Sequence, residues 1–349
     1  MNLNEVETPA VVIDLDRVEA NIARLQRYLG EHGIAGRPHI KTHKIPEIAR
    51  MQIDAGAVGI SCQKTSEAEV MADAGFDDIF ISYNVIGREK LERLTRLARR
   101  VRMSVAADSA FTVSGYLAAS RQGEVELPVV IEFDTGAGRC GVQSPSEAAE
   151  LARLVERSPG LCFDGLMTHP CNDRSDDFVR ETKALLHQEH IGVKRVSYGG
   201  TPGMWQAHTF SEITEFRAGT YVYGDRATVR SGAMSVEECA LCVVTTVVSR
   251  PTADRCIVDA GSKGLTSDLL GLQGYGLVLE YPEARVYALS EEHGNLDVSA
   301  CARGPEIGER VAILPNHCCV VSNLYDRVYG MRNGQVEVTW PVAARGKSQ

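Results

Sequence analysis

From residue 10 to about residue 225, short apolar runs alternate with amphipathic segments, and this alternation constrains the fold more than any single motif. The runs are AVVIDLD (10–16), a strand near Ile40, AVGISC (57–62), DIFISYN (78–84), RMSVAAD (102–108), PVVIEFD (128–134), GLMTH (165–169), RVSYGG (195–200) and FRAGTYVYGD (216–225). Helical segments such as KTSEAEVMADAGF, REKLERLTRLARR and PSEAAELARLVERS lie between most of them. In RVEANIARLQRYLGEHG, Val18, Ile22, Leu25 and Leu29 recur at helical spacing and Gly33 supplies a stop. Strands alternating with helices specify a parallel sheet, and eight such units close into a (β/α)8 barrel. The nine candidates exceed that number by one. An open doubly wound sheet is the competing arrangement, but the dinucleotide fingerprint and phosphate-loop lysine motif that would support it are missing.

After about residue 226 the texture changes. CALCVVTTVVSR, RCIVDAG, ARVYALSEEHG, ERVAILPNH and DRVYGMRNGQVEVTWPV are short β-type runs separated by turn residues. The expected division is therefore a barrel over residues 9–225 and a mainly β domain over 226–349 together with residues 1–8. The closing GKSQ reads as a frayed tail.

Composition narrows the function class. The 349 residues are 44% hydrophobic and 24% charged, as in an ordinary globular chain, and the net charge of −9 argues against nucleic acid or an anionic membrane as partner. No apolar run reaches membrane-spanning length, and MNLNEVETPA lacks the basic and apolar regions of a signal peptide. Ten cysteines are scattered without the spacing of a disulfide scaffold. These features point to a reduced, cytoplasmic enzyme for a small molecule.

Several segments carry side chains suited to chemistry. GRPHIKTHK places Arg37, His39, Lys41, His43 and Lys44 together. Clustered basic residues are ordinarily a solvated loop; the alternative is a lysine held to react. At the carboxyl end of a barrel strand, Lys41 would be desolvated and crowded by His39, His43 and Lys44, which lowers an amine's pKa and makes it nucleophilic. FDTGAGRCGV sets Arg139 in a glycine-rich turn, and SYGGTPG is a second such turn whose N–H groups suit a phosphate. Tyr221 and Tyr223 follow at the next strand end as candidate phosphate partners. His169 ends GLMTH, either as a substrate-orienting group or as a packed core histidine. In ILPNHCCVVSN, an extended chain would point His317 and Cys319 to one face, a borderline-soft pair suited to zinc. The competing reading is a packed histidine beside buried cysteines. SEEHG reads as a solvated turn.

Taken together, RPHIKTHK, GISCQKTSEAE, DTGAGRCGV, YGGTP, EEHG and PNHCC, in this order, resemble the D-threonine aldolase and D-serine dehydratase family over nearly the whole chain. The resemblance implies the alanine-racemase fold, pyridoxal 5'-phosphate (PLP) in the barrel and a divalent metal beside it. Zinc is the expected ion, with manganese and magnesium as alternatives. It implies that Lys41 forms the Schiff base with PLP, with His39 and Arg139 beside the cofactor. Gly200, Thr201 and Tyr221 match the phosphate-holding region, and His317 and Cys319 match the metal-ligand positions. A homodimer is also implied.

The implied activity is cleavage of β-hydroxy-D-amino acids of the D-threonine type to glycine and an aldehyde, with His169 or a metal-bound hydroxide as base. The alternative is dehydration of D-serine or 3-hydroxyaspartate to a 2-oxo acid and ammonia. Cysteine at position 319 and PCNDRSDD after His169, without a further histidine, lean to the dehydratases. The closing VVSNLYDRVYGMRNGQVEVTWPVAARGKS leans to the aldolases. A racemase, which needs no metal, and a non-catalytic PLP-binding protein, which would leave the β-type sequence after the barrel without a purpose, fit less of the pattern.

Overall fold

The first apolar run, Ala10–Asp14 (β1), does not join the strands that follow it in sequence. In the computed structural model, which describes residues 2–349, β1 pairs antiparallel with Leu241–Thr252 and parallel with Arg327–Arg332. It therefore belongs to the mainly β unit, and the ninth barrel candidate is accounted for. An apolar strand followed by an amphipathic helix reads the same whichever sheet receives it, so the barrel boundary at residue 9 takes in one strand too many. By its contacts the chain divides into one unit of Met1–Ala23, Thr42–Glu47 and Thr220–Arg345 and another of Arg24–Lys41, Ile48–Gly219 and Gly346–Gln349.

The second of these units contains eight parallel strands: Ala35–Gly36 (β2), Ile60–Cys62 (β3), Asp78–Asn84 (β4), Arg102–Ala107 (β5), Leu127–Glu132 (β6), Leu161–Thr168 (β7), Arg195–Gly199 (β8) and Glu215–Arg217 (β9). Their order is β2-β9-β8-β7-β6-β5-β4-β3, and a parallel bridge between His39 and Ser61 joins the two ends into a barrel. Phe80, Ala106, Val130 and Met167, from four successive strands, form one buried cluster. The intervening helices follow their sequence signals. Pro145–Glu156, for example, starts with a capping box between Ser144 and Glu147 and buries Ala148, Leu151, Ala152 and Val155. The last residues do not fray. The carbonyl of Gln349 accepts from the backbone N–H (3.0 Å) and hydroxyl (2.8 Å) of Ser66, satisfying a donor in the first turn of the helix Thr65–Asp73, which no side chain caps.

The mainly β unit is a nine-stranded sheet. Leu241–Thr252 (β10) runs antiparallel to β1, and Arg255–Val258 pairs back onto β10, closing part of the sheet on itself. The hairpin Arg327–Arg332 to Gln335–Pro341 turns at Asn333 and Gly334, both at positive φ (50° and 74°), as a two-residue turn of this hand requires. Among the described residues, no helix is long and apolar enough to cross a membrane.

Candidate active site

The basic stretch is not a solvated loop. Arg37, His39, His43 and Lys44 are buried and Lys41 is half-buried in a 3-10 turn, Ile40–Thr42, that follows β2. Buried charge persists only with partners, and Arg37 has two, Glu215 at 2.7 Å and Asp78 at 2.5 Å. His39 is held on both nitrogens. Its Nδ1 accepts from the Lys41 N–H at 3.4 Å, and its Nε2 lies 3.0 Å from Gln63 Oε1 and 3.2 Å from Ser82 Oγ. The Nε2 tautomer follows, donating to Gln63. Burial drives this imidazole well below its ordinary pKa, and the charges of Lys41 and Arg217 add to the effect. Lys41 Nζ is 3.5 Å from the same Gln63 oxygen, so one amide spans the lysine and the histidine.

His169 follows β7. Burial pushes its imidazole down to about 3, and the charges of Lys41, Arg139 and Arg217 press in the same direction. Lys41, His39, Arg139, His169 and Arg217 thus share one locus at the carboxyl ends of β2, β6, β7 and β9, where barrels of this kind place their chemistry. Arg139 is steadied by Glu132 (3.3 Å) at the end of β6. Its glycine-rich turn is organised by Asp134, whose carboxylate accepts from the N–H groups of Gly136 (2.9 Å), Ala137 (2.8 Å) and Gly138 (3.1 Å). The second glycine-rich turn faces His169. A Cβ at Gly200, which has φ +119°, would sit 3.9 Å from His169 Nε2. Thr201 then opens a 3-10 segment to Thr209 that no side chain caps; Pro202 has no N–H and that of Gly203 donates to the carbonyl of Gly200 (3.2 Å), so the Thr201 N–H is the donor this turn offers an anion. A cluster of cations beside an uncapped turn fits a phosphorylated, anionic cofactor.

The mainly β unit holds four further candidates, Tyr221, Tyr223, His317 and Cys319. Tyr221 is buried in the turn Thr220–Val222, while Tyr223 is fully buried with its ring edge-on to His43 at 6.4 Å. His317 and Cys319 do not lie on an extended strand. The strand Arg310–Pro315 ends at its proline, His317 becomes the N-cap of a helix, Cys318–Leu324, and Cys319 falls in that helix's first turn. Capping geometry brings the two side chains together where strand alternation was expected to.

Cys319 is drawn well below an ordinary thiol by a hydrogen bond from Cys318, with further help from His317 and Thr42, against the effect of burial. Burial lowers His317, but its contacts with Cys319 and Asp268 outweigh that and raise it to about 9. An imidazole and a thiolate side by side form a donor set that fits zinc. Among the described residues, no group of three or more His, Cys, Asp or Glu is arranged to hold a metal ion, so the pair supplies two donors and oxygen ligands would complete the shell. Asp225 braces this turn, accepting from the Cys318 N–H at 3.1 Å.

Sequence reasoning missed Gln63, Arg217 and Asp268. Gln63 lay within GISCQKTSEAE and Arg217 within FRAGTYVYGD, where a charged residue inside an apolar strand was the available signal.

The alanine racemase N-terminal domain family matches residues 13–227, and the serine dehydratase domain family matches residues 240–331. A D-threonine aldolase of Arthrobacter sp. is 34% identical, the alignment covering 99% of this chain and 95% of the relative. The crystal structure of D-threonine aldolase from Filomicrobium marinum matches with a TM-score of 0.90 at 32% identity, covering 100% of this chain and 98% of that one. A cysteine-to-alanine mutant of D-threo-3-hydroxyaspartate dehydratase, in the metal-free form, matches with a TM-score of 0.88 at 27% identity over 98% of each chain.

Proposed function

Since the chain belongs to the D-threonine aldolase and D-serine dehydratase family, we propose that it is a PLP- and divalent-metal-dependent lyase that cleaves β-hydroxy-D-amino acids of the D-threonine type to glycine and an aldehyde. The observation that carries this reading is the convergence of Lys41, Arg139 and Arg217 on His169 at the ends of the barrel strands. Bound PLP supplies an electron sink for the bond that breaks at Cα, and a metal on His317 and Cys319 supplies a Lewis acid for the β-hydroxyl.

The chain's own residues do the rest. Lys41 holds the cofactor, and Gln63 keeps its amine and the His39 ring in fixed relation. By the family resemblance Gly200 and Thr201, with Tyr221, would take the phosphate, and Arg139 would flank the cofactor. His169 is neutral throughout the physiological range and so stands ready to accept the hydroxyl proton at the β-oxygen. Its three cationic neighbours make it a weak base until an anionic cofactor and substrate offset them, which ties proton removal to a filled site.

A specific observation favours dehydration as the second reading. On this reading Cys319 would take the second metal position, and a similar structure, a cysteine-to-alanine mutant in the metal-free form, is that of a dehydratase. In that reading Lys41 would take the Cα proton, and a metal held by His317 and Cys319 would stabilise the β-hydroxyl as it departs as hydroxide. A racemase or a PLP carrier has less support, since neither gives the His317–Cys319 pair a task. The proposal includes a homodimer in the cytoplasm. Ten cysteines without a disulfide among the described residues support a reducing compartment. The test is stereochemical: the PLP- and zinc-loaded protein should release glycine from D-threonine but not L-threonine, and a chelator should stop it. Equal turnover of both isomers, or indifference to the chelator, contradicts the reading.

A further inference from the structure

One ring nitrogen of His317 already has a partner. Asp268 Oδ2 lies 2.8 Å from His317 Nδ1. The loop that carries Asp268 is fixed by the residue next to the imidazole. Asn316, 1% exposed, donates from Nδ2 to the carbonyl of Asp268 (3.1 Å) and to that of Gly274 (2.9 Å), and its Oδ1 accepts from Arg226 (2.8 Å). One side chain thus sets the position of the carboxylate, and the next residue in the chain carries the ring that meets it. On the sulfur side, the Thr42 hydroxyl is 3.3 Å and the Thr220 hydroxyl 3.7 Å from Cys319 Sγ.

A histidine that binds a metal through one nitrogen must carry its proton on the other, and a partner for that proton fixes both tautomer and ring orientation. We propose that Asp268, held by Asn316, is the positioning residue for the metal: it accepts a hydrogen bond from Nδ1–H of His317 and so leaves Nε2 free for the ion. The inference rests on the reading of His317 as a ligand. It gives PNHCC an internal logic, in which asparagine sets the loop, histidine binds, and the second cysteine supplies the thiolate. Because the Asp268 side chain is 43% exposed, its replacement leaves no cavity in the core, and the variants are expected to fold.

The experiment measures metal, not turnover. Zinc affinity is determined by competition with a chromophoric chelator on PLP-loaded wild type and on Asp268→Asn, Asp268→Ala, Asp268→Glu and His317→Ala. Cobalt loading then reads the ligand field through the thiolate-to-metal absorption. Asp268→Ala should weaken zinc binding about 10- to 100-fold and shift the cobalt spectrum. Asp268→Asn should do so less, Asp268→Glu should restore part of the affinity, and all three should keep the PLP absorbance. If His317→Ala loses the metal while Asp268→Ala binds it as wild type does, the positioning role is overturned and the ligand reading stands. If neither variant changes affinity, the ligand reading itself fails and the positioning role goes with it.

Discussion

The guanidinium of Arg217 donates through Nη2 to the carbonyl of Thr168 at 3.2 Å, one residue before the imidazole of His169. The other arm of Arg217 donates to Ser197, and the group packs over the Phe80 ring at 5.6 Å, so a fully enclosed cation is held in the barrel by strands β7 and β8. The same cation presses on His39 and His169.

Replacing Arg217 with methionine removes that charge and leaves buried acceptors unpaired. The expected cost is about 3 kcal/mol of stability, measured by denaturant titration. The pKa of His169, followed by NMR in the cofactor-free protein, should rise toward the ordinary histidine value. A His169 pKa that does not move would mean that burial and the charges of Lys41 and Arg139 set it without Arg217.

Lys41→Ala should abolish the visible absorbance of bound PLP and all turnover. Any other lysine that sustained the absorbance would remove Lys41 from its role. Gln63→Ala should keep the absorbance but shift its pH dependence, because the amide that spans Lys41 and His39 is gone.

His169 also has a signature in stability. Its folded pKa of about 3 lies below the unfolded value of about 6.5, so the unfolded chain takes up the proton first as pH falls. The cofactor-free protein should therefore lose stability as pH drops from about 6.5 toward 3, with no more than about 2 kcal/mol of the loss between pH 7 and pH 5 traceable to this residue. His169→Asn should show a correspondingly flatter profile in denaturant titrations, and turnover in the loaded variant should be slowed. A variant with the wild-type profile and full activity would contradict both the shift and the role as base.

Cys319→Ala should reduce metal retained through gel filtration, measured by elemental analysis, while PLP content stays as in wild type. Unchanged metal content would remove Cys319 from the ligand set and return it to the packed-cysteine reading.

Much of this was legible in the sequence, for identifiable reasons. The barrel strands announced themselves because apolar runs of strand length alternate with helical periodicity, and the helix Leu15–Glu31 buries Val18, Ile22, Leu25 and Leu29 as that periodicity demands. The placement of β1 was not legible, since pairing partners more than 200 residues away leave no local mark. His317 and Cys319 meet through a local geometry that strand alternation does not describe: a helix N-cap, not a strand, brings them together. Asp268 was hidden because its importance lies only in its contact with His317, 49 residues later in the chain. Arg217 was passed over inside an apolar strand, where burial turns a charged residue into a structural commitment.

The central claim concerns which bond at Cα breaks, and product identity tests it most directly. Purified protein loaded with PLP and zinc or manganese is incubated with D-threonine, and glycine with acetaldehyde is assayed against 2-oxobutanoate with ammonia. Glycine and acetaldehyde in equal amounts are the expected products. 2-Oxobutanoate and ammonia would contradict carbon–carbon cleavage and make the enzyme a dehydratase built on the same residues.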